Sequence, residues 1–277
     1  MSDEIMAVQE EENETAEAPE EEAEAQSEAQ AEPAVNLEKI EAMAKAGLFY
    51  GRRKSKTHPK MKPLVAANRN TIELFDLMKT EPMLTAATDF LGRMAAEGKT
   101  ILFVATQPAA RDLIADLAVQ YGYPYVTNKW VGGALTNLNV IRKRIGYFAS
   151  VRADKESGRL KRSKKEMARI NREIGKMEFL FSGIEKMDRL PEAMFIVNPK
   201  LHVTALREAK KVKIPTVAIL STDVDPKTVE YPIPANDNSR SSIEFILREV
   251  KKAIGAASTN PPAGGVGALG AAKAAEQ

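Results

Sequence analysis

The residues best equipped to do chemistry in this chain are cations, and they come in two blocks. Between Lys45 and Lys62 lie seven bases, Lys45, Arg52, Arg53, Lys54, Lys56, Lys60 and Lys62, with no acid among them and with His58 in their midst. Gly51 and Pro59 mark this block as a loop. Between Arg142 and Lys176 there are thirteen bases against four acids. A surface kept soluble by charge intersperses both signs. Blocks this one-sided point instead to neutralised phosphates, the main source of affinity for RNA and DNA. The candidate RNA-binding residues are Arg52, Arg53, Lys54, Lys56, His58, Lys60 and Lys62 in the first block. In the second they are Arg142, Lys143, Arg144, Arg152, Lys161, Arg162, Lys164, Lys165, Arg169 and Arg172, with Lys129 and Asn137 just ahead of it.

A rival chemistry starts from the segment Asn128 to Asn137, which holds the only Trp, Trp130, and the diglycine Gly132-Gly133. A glycine turn between a strand and a helix can offer free backbone N–H groups to a phosphate. That would make the chain an α/β nucleotide-binding enzyme. Against it, no Walker lysine follows and no G-x-G-x-x-G follows a strand, so a tight turn with Trp130 as a packing anchor is the plainer expectation. The literal G-x-G-x-x-G at Gly265–Gly270 sits in an Ala/Gly stretch with no strand ahead of it and is discarded. Asp223 and Asp225 come just after a strand but bring no nucleophile or base with them, and they read as turn and capping residues. His202 has no partner at ligand spacing and reads as a surface group. No catalytic residue, cofactor, metal or small-molecule substrate is expected.

Composition narrows the classes further. The chain has no Cys, which excludes disulfides, thiolate metal sites and a Cys nucleophile. Its apolar runs fall well short of the ~20 residues that cross a bilayer, so no membrane partner is expected and the cytoplasm is the expected compartment. The net charge of +2 hides an asymmetry: residues 1–36 hold thirteen acids and no base, leaving 25 acids against all 40 bases in the remainder. Residues 1–36 are expected to be a disordered acidic tail, and 255–277, rich in Ala and Gly, a second one.

Between the tails, at 37–254, something must position the cations. Short apolar runs at Ile101–Val104, Tyr123–Val126, Met194–Val197, Val217–Leu220 and Tyr231–Ile233 read as buried strands. Helical patterns at Ala109–Val119 and Val203–Val212 alternate with them, and further helices are expected near Leu37–Ala46 and Ser239–Ala253. This rhythm predicts an α/β fold with a doubly wound parallel sheet. One stretch, about 135–188, breaks the rhythm. Leu138, Ile141, Ile145 and Phe148, then Met167, Ile170, Ile174, Met177, Phe181 and Ile184, recur at spacings of three and four. They predict an antiparallel coiled-coil hairpin inserted between the second and third strands, turning at Ala153–Gly158, with Ser163 and Glu166 forming a capping box.

The motifs Ala46-Gly47, Pro59–Pro63, "IELFDLMKT" (72–80), "NKWVGGALTNLNVIRK" (128–143), "LPEAMFIVNPK" (190–200), "IPTVAILSTDVDP" (214–226) and "YPIPANDNSRSSI" (231–243) occur in that order. Together they resemble the small ribosomal subunit protein 2 family of the bacterial type, over 37 to about 254. The resemblance implies a flavodoxin-like sheet with a protruding coiled-coil hairpin, no catalysis, and a structural role in translation. It also implies a cytoplasmic location in the ribosome and docking on small-subunit ribosomal RNA near the head–body junction. The implied partners are that RNA, neighbouring small-subunit ribosomal proteins and, in bacteria that have it, ribosomal protein 1. Where the family usually has His, this chain has Phe49 and Arg52, which removes imidazoles from any His-dependent or metal contact relatives make there. Asn198, Ser221 and Ala105 replace a usual Asp, Asp and Gly.

Overall fold

The structure, a computed structural model, describes residues 37–157 and 163–258. The acidic segment 1–36, residues 259–277 and the candidate cations Lys161 and Arg162 lie outside the described residues.

The chain enters through α1 (Leu37–Lys45) and a small antiparallel sheet of β1 (Tyr50–Arg53), β2 (Val65–Arg69) and β3 (Ile72–Phe75), ordered β1-β3-β2. β2 and β3 meet at a two-residue turn in which both Asn70 and Thr71 have positive φ, 50° and 66°. That is the twist a tight hairpin needs. The long helix α2 (Leu77–Ala96) follows, capped by Asp76, whose carboxylate accepts from the Met78 N–H at 3.1 Å. Neither this small sheet nor α2 is part of the sequence expectation, and the block read as a loop contains a strand.

The main sheet is the expected one. β4 (Ile101–Val104), β5 (Tyr125–Val126), β6 (Ala193–Val197), β7 (Thr216–Leu220) and β8 (Tyr231–Pro234) pair in parallel in the order β5-β4-β6-β7-β8. Relabelled along the sheet this is 2-1-3-4-5, the flavodoxin-like order. Its strands are almost wholly apolar because both faces are covered. Ile101, Phe103, Phe195, Val197, Val217 and Ile219 pack on one side with α2, α3 (Pro108–Tyr121) and α7 (Arg240–Ser258). Leu102, Val104, Met194, Ile196, Ala218 and Leu220 pack on the other with α6 (Val203–Lys211) and the base of the inserted helices. Pro232 and Pro234 are tolerated because β8 is an edge strand. α7 runs through Ser258, four residues beyond the expected boundary at Ile254.

Between β5 and β6 come α4 (Leu138–Glu156) and α5 (Lys164–Phe181), followed by a short 3-10 turn at Ser182–Ile184. The two helices pack on one another, and Ile141, Ile145, Phe148, Ile174, Phe181 and Ile184 are buried. Met167, Ile170, Met177 and Leu138 are only half-buried, since two helices alone cannot enclose a seam residue on all sides. Of the turn expected at Ala153–Gly158, residues 153–156 are helical, and Gly158 lies outside the described residues. Ala, Lys and Glu are good helix formers, and α4 continues through Glu156. The capping box is present: Ser163 Oγ accepts from the Glu166 N–H at 3.4 Å, and Glu166 Oε2 accepts from the Ser163 N–H at 3.1 Å.

Candidate nucleic-acid interface

Successive residues of a strand face opposite sides, and β1 applies that rule to two arginines. Arg52 turns inward, where its Nη2 donates to Asp237 Oδ1 at 2.7 Å and Asn238 Oδ1 at 3.2 Å, with Nε 3.9 Å from Asp223 Oδ1. Arg53 turns outward and is exposed. Gly51, between Tyr50 and Arg52, has no room for a side chain: a Cβ would lie 2.6 Å from Thr222 Cγ2 and 2.9 Å from the Glu73 carbonyl oxygen. The close approach lets the Arg52 N–H donate to Thr222 Oγ1 at 2.9 Å. The basic segment is thereby pinned to the loop after β7.

Beyond β1, Lys54, Lys56 and Lys62 are exposed and carry no ion pair among the described residues. Lys60 is engaged, its Nζ 2.5 Å from Asp225 Oδ2. That bond is the chief reason the Asp225 pKa lies below the usual carboxylate value. Asp225 also accepts from the Lys227 N–H at 2.9 Å, and Asp223 Oδ2 accepts from Lys200 Nζ at 2.8 Å. Both aspartates thus hold cations and turns. His58 is half-buried, with its N–H donating to the Thr222 carbonyl at 2.8 Å and its Nδ1 accepting from the Lys60 N–H at 3.3 Å. Its imidazole shapes the loop.

Buried Asp237 is 1% exposed, and burial pushes its pKa up to about 6, against the Arg52 guanidinium, which lowers it, and with a smaller upward push from the Asp223 charge. His202 corrects the expectation of a surface imidazole. It is 3% exposed, its Nε2 accepts from the Thr106 N–H at 3.4 Å, and burial lowers its pKa to about 4.

On the inserted helices the charges segregate by face. Opposite the α5 seam of Ile170, Ile174 and Phe181, the 3.6-residue period brings Lys165, Arg169, Arg172, Lys176 and Phe179 onto one stripe. All five are exposed, and Glu166, Glu173 and Glu178 lie off that stripe, toward its flanks and the seam. Lys176 belongs to the stripe although the sequence candidates omit it; its spacing of four from Arg172 is the signal. Arg172 Nε donates to the Ala168 carbonyl at 3.2 Å, and the side chain is exposed. Lys164 is exposed beside the cap. On α4, Lys143 and Arg144 are exposed with no ion pair among the described residues. Arg142 reaches Asp188 at 3.4 Å. Arg152 is held at the seam by Glu185, at 3.2 Å, and by the Phe148 ring, whose centroid is 5.3 Å away. Lys129 and Asn137 are exposed at the two ends of the glycine segment.

That segment is filled from within. Glu208 of α6 is buried, and its Oε1 accepts from Trp130 Nε1 at 3.0 Å and the Gly133 N–H at 2.9 Å. Its Oε2 accepts from the N–H groups of Leu135 at 3.1 Å and Thr136 at 3.3 Å, and from Thr136 Oγ1 at 3.3 Å. Gly133 has φ +88°, the left-handed conformation that turns these amides toward one point. Burial alone would raise the Glu208 pKa, yet Trp130 and the three amides hold it below the ordinary value. The anion-binding nest of the rival enzyme reading already contains an anion.

Residues 43–257 match the family described as ribosomal protein S2. The chain belongs to the ribosomal protein S2 family. A relative named small ribosomal subunit protein uS2 from Coprothermobacter proteolyticus is 41% identical over 216 residues, covering 78% of this chain and 81% of the relative. The protein of the same name from Rhodopirellula baltica is 38% identical over 218 residues, covering 78% and 84%. The relative named uS2c from Emiliania huxleyi is 39% identical over 210 residues, covering 76% and 92%. The family is structural and ribosomal, and this chain is not an enzyme.

Proposed function

We propose that the chain binds small-subunit ribosomal RNA through its basic N-terminal segment and through an arm formed by α4 and α5, a coiled coil that carries cations to phosphates beyond the sheet. The observation behind this is the acid-free stripe Lys165, Arg169, Arg172 and Lys176, turned away from the buried seam. Arg53, Lys54, Lys56 and Lys62 supply a second contact at the N-terminal segment, near the loop after β7. Arg52 and Lys60 act there from behind, by holding the segment on Asp237 and Asp225. Phosphate contacts position a protein and carry little sequence information, so recognition goes by shape and charge. The product is a stable part of the small subunit, supporting translation in the cytoplasm beside neighbouring ribosomal proteins, with ribosomal protein 1 a further partner in bacteria that have it.

Sedimentation tests the role. The tagged full chain should comigrate with small subunits at low salt and be released as salt rises. A chain that stays in the soluble fraction at every salt concentration contradicts it.

A further inference from the structure

Two large aromatic side chains of the arm stand in solvent. Tyr147 on α4 is 54% exposed and Phe179 on α5 is 52% exposed. Single exposed apolar residues are ordinary; the surroundings of these two are not. On α4, residues three and four before Tyr147 are Arg144 and Lys143, both exposed, and such pairs sit side by side on a helix. No acid occurs between Asn137 and Arg152. On α5, Phe179 follows Lys176 by three residues and Arg172 by seven, at the end of the acid-free stripe. Neither ring makes a ring contact or lies under a cation among the described residues. The contrast with Trp130 is direct, since its indole is half-buried and tied to Glu208.

We propose that Tyr147 and Phe179 are stacking platforms for unpaired RNA bases, each set beside cations that take the adjoining phosphates. The proposal rests on the ribosomal RNA reading above and names the form of RNA the arm engages. An aromatic ring whose charged neighbours three and four residues away on its helix are all cations brings no negative charge to repel a polyanion, and it offers its face to any base, because every base has a π surface. A base in a duplex keeps its faces covered by its neighbours, so a ring can reach it only where the strand is looped, bulged or single. Tyr147 and Phe179 therefore add preference for unpaired nucleotides, and the cations add affinity for any RNA.

The test uses the full chain and two probes, an oligo(U) of about 12 nucleotides and an RNA duplex of roughly 16 base pairs. The double variant Tyr147→Ala, Phe179→Ala should lose about tenfold or more in affinity for oligo(U). It should keep its duplex affinity and its salt dependence for both. The conservative pair Tyr147→Phe, Phe179→Tyr should bind as the parent chain does, which separates stacking from loss of bulk. Unchanged oligo(U) affinity in the double Ala variant overturns the proposal, as does an equal loss on both probes. Unchanged RNA affinity with failed incorporation into small subunits also overturns it, and assigns the rings to a protein neighbour. If changing Lys165, Arg169, Arg172 and Lys176 to Gln leaves both probes bound as before, the ribosomal RNA reading itself falls. If that change weakens both probes while the Ala variant is silent, only the stacking proposal falls.

Discussion

At the scale of single residues, side-chain direction decides chemistry that composition leaves open. Arg52 and Arg53 are identical in type and adjacent, yet one pairs with the buried carboxylate of Asp237 and the other faces solvent. Strand alternation separates them, but Asp237 is 185 residues away, so no local pattern says which arginine turns inward. His202 and Thr106 are likewise 96 residues apart, and the burial of His202 was not legible from its neighbours. These buried groups contribute to the pH response. With its folded pKa at about 4 against an ordinary 6.5, His202 takes up a proton in the unfolded chain first. Stability from His202 is complete above pH 6.5 and falls as pH drops toward 4, by about 3 kcal/mol. Asp237, raised from 3.8 to about 6, acts in the opposite sense: its contribution is complete below 3.8 and declines as pH rises to 6. Relative to the parent chain, denaturant titrations at several pH values should show the stability change from pH 6.5 to 4 shifted toward gain in His202→Gln and toward loss in Asp237→Asn. Parallel profiles for all three proteins would contradict both assignments.

At the scale of elements, legibility follows burial. The strands of the main sheet were readable as continuous apolar runs because helices cover both faces, and the inserted helices because one face of each repeats at three and four residues. β1, β2 and β3 gave no such signal. They are short, β1 and β2 are largely exposed and β3 buries Glu73 along with Phe75, and their turn is Asn70-Thr71 in place of the Asn-Gly that marks a tight hairpin. The arm's seam has its own consequence. Ile174 is buried between α4 and α5 and distant in sequence from the sheet, so Ile174→Asp places a charge in the seam alone. Hydrogen exchange should show amides of α4 and α5 losing protection while those of β4, β6 and β7 keep theirs, as expected for a locally opening unit. Equal loss across the sheet would mean that arm and sheet fold as one.

At the scale of the whole molecule, the family and the α/β fold were legible because ordered motifs run from Ala46 to Ile243, and the charge asymmetry was visible in the counts. What required the structure was the organisation of the charge. Some cations close on Asp237, Asp225, Glu185 and Asp188, while others remain on outward faces. Glu208 shows the same inwardness, since it takes the glycine segment's amides away from any external phosphate. Among the described residues, the amides of the glycine segment are occupied from within and the cations that carry no ion pair lie on outward faces, which is the arrangement the proposed docking on RNA needs. The most direct test replaces Lys165, Arg169, Arg172 and Lys176 together by Gln. None lies on the seam, so the circular dichroism spectrum and melting should match the parent chain. Affinity for small-subunit ribosomal RNA should then be measured against salt concentration. The logarithmic slope should shrink in magnitude by about 3, at roughly 0.7–0.9 per lost phosphate contact. An unchanged slope in a folded variant would contradict the claim that this stripe meets RNA.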